Sequence, residues 1–108
     1  MEIAFDTEEL LNLCIDESLV ERLFCPEAAG GLRNRLDDMR AADSVLQLPA
    51  GRPRRDLCDG VDCYRVEFYK DLWLTIIPNH LEPRMNAQGA TDWGRVRRVR
   101  IVSVGELE

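Results

Sequence analysis

The residues best equipped for chemistry in this 108-residue chain are its arginines, which bunch at Arg52, Arg54 and Arg55 and again at Arg95, Arg97, Arg98 and Arg100. A guanidinium is planar, permanently charged and forked, so it meets a phosphate with two parallel hydrogen bonds. Each cluster reads in one of two ways. The first is a solvated strand edge or a partner for acids; the second is a phosphate-gripping patch. His80 is the single histidine, and its titration range suits acid–base work. It follows Pro78 at the start of a polar loop, where an exposed side chain without a catalytic duty is the plainer expectation. Cys14, Cys25, Cys58 and Cys63 contain no CxxC pair, whereas zinc sites are built from close ligand pairs. Reduced, partly buried thiols are expected, with no metal and no other cofactor.

The net charge of −6 is unevenly spread. Residues 1–30 hold eight acids against Arg22 alone, a net of −7, and the remainder holds twelve acids and thirteen bases. The molecule as a whole repels a polyanion, so any nucleic-acid contact needs a local basic face. The acidic block also admits a nucleic-acid mimic as a minor reading. An apolar fraction of 45% with 31% charged residues indicates a folded chain, and the length suits one domain over 1–108. No apolar run reaches the ~20 residues of a membrane span, and the first residues lack a signal-peptide pattern. A cytoplasmic protein with no membrane partner is expected.

The elements that position the arginines centre on Cys63 to Pro78. Tyr64, Val66 and Phe68 alternate with Cys63, Arg65 and Glu67, the two-residue period of a half-buried strand. Trp73 to Ile77 is aromatic and β-branched, as a buried strand is. Lys70-Asp71 forms the tip between them, and Pro78 ends the second strand because proline gives no N–H to a ladder. Glu2 to Phe5 reads as a short opening strand. Asp6 or Thr7 then caps a helix with Leu10, Leu11, Cys14, Ile15, Leu19, Leu23 and Phe24 at helical spacing. Asp16 to Ser18 leaves open whether this is one helix or a helix with a short successor.

A further helix starts at Pro26, with Ala28, Leu32, Leu36 and Met39 on its apolar face. Gly30-Gly31 weakens its first turns or lets two helices approach closely. A strand over Arg52 to Leu57 leads to an Asp59-Gly60 turn. The stretch 79–94 is a long polar loop. The last strand covers Val96 to Val104, with Val99, Ile101 and Ser103 on one face and Arg98, Arg100, Val102 and Val104 on the other. Trp73 and Trp93 are expected as core and loop anchors. The order β-α-α-β-β-β-β predicts an α+β fold, two N-terminal helices packed on a mostly antiparallel sheet.

Five places resemble the RelE/ParE-like toxin superfamily, and within it the HigB-type plasmid maintenance killer branch. They are Ile3-Ala4-Phe5; the helix Leu32 to Asp43; Leu48-Pro49-Ala50-Gly51-Arg52; Trp73 to Pro78, similar to the family's "YRLIFEP" strand; and Asp92 to Ile101, similar to its "DWxxVxxVxI" ending. The resemblance implies a curved RelE-like sheet and a toxin of a type II toxin–antitoxin module, cleaving mRNA on the ribosome if active. It further implies a cognate antitoxin of the helix-turn-helix type as partner. Arg55 falls where relatives carry a histidine, and so becomes the one matched catalytic candidate. Arg52, Arg54, Arg65, Arg98 and Arg100 become candidate RNA-phosphate cations. The family's lysine falls on Cys58, its strand arginine on Leu74, and its C-terminal tyrosine or histidine has no counterpart. Arginine is a poor proton acceptor at neutral pH. The departures imply an alternative, a degenerate RelE-fold module that binds a protein partner without cleaving RNA.

Overall fold

The computed structural model describes residues 1–107. Its elements run β1 (Glu2–Phe5), α1 (Glu8–Ile15), α2 (Glu17–Leu23), α3 (Pro26–Ala41), β2 (Arg54–Cys58), β3 (Val61–Tyr69), β4 (Leu72–Pro78) and β5 (Arg98–Gly105). Short 3-10 turns lie at Val45–Gln47 and Trp93–Arg95. The class is α+β, with three helices in place of the expected two. The added boundary is Asp16, whose backbone is extended at φ −108° and ψ 96°. Its N–H donates to the Asn12 carbonyl and closes α1, while its carboxylate accepts from the Leu19 N–H and opens α2. Thr7 caps α1 by accepting from the Leu10 N–H at 3.2 Å.

The strands form one mixed sheet in the order β1-β5-β4-β3-β2. Three pairings are antiparallel, and β1 runs parallel to β5. Asp59 and Gly60, at φ 51° and 79°, make the tight turn between β2 and β3. β2 begins at Arg54, two residues later than expected. Arg52 is left-handed at φ 43° and Pro53 gives no N–H, so neither can extend the ladder. β5 begins at Arg98 because the Val96 N–H is spent on the Trp93 carbonyl, closing a 3-10 turn. The 79–94 segment is folded: Met85 bridges Thr91, and the Asn86 side chain accepts from the N–H groups of Gln88 and Ala90.

All three helices share one core with the sheet, from Leu13, Val20, Leu32 and Leu36 to Val66, Phe68, Leu74, Ile76 and Ile101. α3 lies directly on β3. A Cβ built on Gly31 would stand 1.9 Å from the Phe68 carbonyl oxygen, so this glycine admits a strand rather than a second helix. Two irregularities decide which side chains face the helices. Between Glu67 and Tyr69 the register shifts, so that Glu67 opposes Trp73 and Tyr69 opposes Leu72. Leu72, Leu74 and Ile76 thereby join the core, and Trp73 and Thr75 turn to the opposite face. In β5, Ser103 opposes Thr75 while Ile101 opposes Ile76, leaving Val102 as an extra residue. Val104 then packs with the core, contrary to the alternation that grouped it with Arg98 and Arg100. Among the described residues no helix is long and apolar enough to cross a membrane.

Candidate functional site

The sheet face turned away from the helices carries most of the arginines singled out in the sequence. Cross-strand register places Arg54 beside Arg65, Arg65 beside Thr75, and Asp56 beside Cys63 on this face. Arg98 and Arg100 follow towards the β1 edge, opposite Glu2 and Ala4. At the centre Arg65 is largely buried, with 14% of its side chain exposed. Its Nε donates to an Asp56 oxygen at 3.2 Å and its Nη1 to the hydroxyl of the fully buried Thr75.

Trp73 is 7% exposed although no helix covers it. Two guanidiniums supply the cover, the Arg54 Cζ at 4.9 Å and the Arg52 Cζ at 5.3 Å from the ring centroid. Arg52 also donates twice to Glu67, from Nε at 3.0 Å and from Nη2 at 2.6 Å. Its left-handed backbone, immediately before a proline, is a conformation that L side chains avoid. The fork to Glu67 and the stack on Trp73 hold it there. Arg52, Arg54, Asp71, Trp73 and Glu106 border an open groove of about 640 Å³.

Every other arginine of this face has an acid. Arg98 pairs with Glu2 at 2.9 Å and Arg100 with Asp6 at 3.7 Å. The acids come from β1 and the bend after it, not from a helix. Among the described residues Arg54 alone on this face has no ion pair.

Arg55 stands apart from this group. Neighbouring residues of a strand point to opposite faces, so Arg55 lies opposite Tyr64 on the helix side. There it donates to Asp62 at 2.9 Å, and the same carboxylate oxygen accepts from the Thr91 N–H at 3.3 Å. Tyr64 meets Trp93 edge-on at 4.9 Å. His80 is half-buried rather than free in solvent. Its Nε2 accepts from the N–H groups of Arg97 and Arg98 at 3.0 and 3.3 Å, fixing the start of β5.

The chemistry available follows from the charges. The Leu57 N–H, with Arg65, holds the Asp56 carboxyl below the usual carboxylate range. The fork from Arg52 does the same to Glu67. Burial, followed by the guanidiniums of Arg84, Arg98 and Arg97, lowers the His80 imidazole from its ordinary 6.5. A general base works best with a pKa near the operating pH, and both carboxylates have been moved the wrong way. The face can grip anions through its guanidiniums, while Trp73 is already covered by Arg52 and Arg54; it is poorly equipped to move a proton. No family model, curated protein or solved structure matches the chain.

The sequence reading brought Arg52, Arg54 and Arg65 to notice but missed their partners Asp56, Glu67 and Thr75. It also placed Trp73 in the core. Strand alternation grouped Arg65 with Glu67, and applied to Arg52–Leu57 it would also have separated Arg54 from Arg55. The run of β4, apolar but for Thr75, gave little sign of which side Trp73 takes.

Proposed function

We propose that the chain is a RelE/HigB-like toxin of a bacterial type II toxin–antitoxin module. In this reading the uncovered sheet face contacts RNA, a cognate helix-turn-helix antitoxin binds the protein, and both act in the cytoplasm. The observation that carries the reading is the gathering of Arg52, Arg54, Arg65, Arg98 and Arg100 with Trp73 on one face. Forked cations gathered on one open face are what the backbone of a polyanion requires. The α+β class, with an opening strand, a helical layer and the four-strand run β2 to β5, supports this reading. Arg55 has no part in this surface.

A second reading is favoured by the ion pairs themselves. Four of these five arginines are already engaged by carboxylates, and the face lacks a base suited to activating a ribose hydroxyl. The protein would then be a RelE-fold module that binds its partner without cleaving RNA. Induction in a bacterial host, with and without a neighbouring helix-turn-helix gene, separates the two. Growth arrest relieved by that gene supports the toxin. A stable complex of the two products without arrest supports the binding module, and neither arrest nor complex removes both.

A further inference from the structure

A second cationic site lies at the other end of β4 and β5. His80, Glu82, Arg84, Arg95, Arg97 and Arg98 line an open pocket of about 540 Å³. Its charges differ in kind from those of the sheet face. Arg98 is paired with Glu2, but among the described residues Arg84, Arg95 and Arg97 make no ion pair. The Arg97 side chain donates only to the Gly94 carbonyl, at 2.5 Å. Glu82 is the one acid in the lining. Like charges gathered in a concave site raise the local potential, and an anion entering it relieves that cost.

The backbone that carries these residues is tied down by hydrogen bonds. The Asp92 N–H donates to the Arg84 carbonyl at 2.7 Å, the Arg95 N–H to the Asp92 carbonyl at 2.9 Å, and the Asn79 N–H to the Arg98 carbonyl at 2.9 Å. The two amides that meet Nε2 of His80 require that atom to be unprotonated, so the neutral ring carries its proton on Nδ1 as a donor. Forked guanidiniums and a neutral N–H suit an anion with several oxygens and more than one charge; a carboxylate would neutralise only one of them. We propose that this pocket is a binding site for a phosphate group, with Arg84, Arg95 and Arg97 as its cations and His80 as a positioning donor.

The proposal stands apart from the toxin reading, because it uses other arginines and requires no cleavage. The phosphate belongs either to a free phosphate ester or to a nucleic-acid backbone. Since His80 is the only histidine, its ring proton resonances give one unobstructed probe. The experiment titrates the whole protein with pyrophosphate, following His80, and repeats this with Arg84→Ala and Arg97→Ala. Both residues are exposed, and the amide spectrum checks that each variant keeps its fold.

A saturable His80 shift is expected, weakened by about fivefold or more in each variant. Bound anion also favours the imidazolium, so pyrophosphate should raise the pH midpoint of His80. A short single-stranded RNA that displaces pyrophosphate assigns the site to a backbone phosphate, and one that leaves it in place assigns a free ester. A shift that does not saturate, or that is the same in wild type and both variants, overturns the proposal.

Discussion

Glu67 and Trp73 stand directly opposite one another across β3 and β4, and Arg52 reaches both. The carboxylate takes the fork, the ring takes the flat of the guanidinium, and Trp73 stays covered on a face that no helix protects. Glu67 also accepts from the Asp71 N–H at 3.0 Å, which ties the same group to the β3–β4 turn.

This arrangement makes a stretch of the stability curve depend on acid. Glu67 is depressed in the folded protein below its ordinary 4.5. Its contribution is therefore complete above that value and is lost as the pH falls through the lower folded-state pKa. Urea midpoints measured from pH 6 downwards should drop more steeply below 4.5 in the wild type than in Glu67→Gln. Parallel curves for the two proteins would show that the fork adds nothing.

Arg54 and Arg55 are neighbours in sequence but sit on opposite faces of the sheet. If RNA lies on the uncovered face, Arg54→Ala should weaken its binding and flatten the dependence of log K on log salt by about 0.7, one phosphate contact to a single strand. Arg55→Ala should leave that slope unchanged. Its ion pair with Asp62 is partly exposed, so its loss should also cost no more than about 1 kcal/mol of stability.

The adjacent glycines of α3 should respond with opposite signs. Gly31→Ala drives a methyl into the Phe68 carbonyl, and overpacking of that kind costs about 1–3 kcal/mol or more. Gly30 has nothing within 4 Å of a built Cβ, so Gly30→Ala should stabilise the helix by about 0.5–1 kcal/mol. Chemical denaturation of both variants checks the pair.

The four cysteines are unpaired but unequal. Burial pushes the Cys14 thiol up to about 11, with Arg40 acting against it, and Cys63 is fully buried. Iodoacetamide on the native protein at pH 8 should label Cys25 and Cys58 well before Cys14 and Cys63. Mass mapping at early times gives the order.

The strands over Glu2 to Phe5 and Cys63 to Pro78, the Asp59-Gly60 turn and a helix cap at Asp6 or Thr7 were legible because each rests on local rules of period, turn chemistry or capping. The face assignments were not. Trp73 to Ile77 is apolar except at Thr75, too weak a pattern to separate its faces, so the register shift beside Phe68 decides which of those residues meets the helices. Val104 changed sides for the same reason, through an extra residue at Val102. The arginines were visible as clusters, yet their partners Glu67, Asp56, Glu2 and Asp6 are set by strand order. That order places the first strand beside the last, and no local pattern encodes it. Gly31 showed as a weak helical position, and only the packing of α3 on β3 gave the reason.

The central claim is tested most directly by inducing the wild-type chain and an Arg52→Ala/Arg54→Ala/Arg65→Ala variant in a bacterial host, with growth followed. The account predicts that the wild type halts growth, that co-expression of the neighbouring helix-turn-helix gene restores it, and that the triple variant, confirmed as folded, does no harm. Unimpeded growth at full wild-type expression would contradict it.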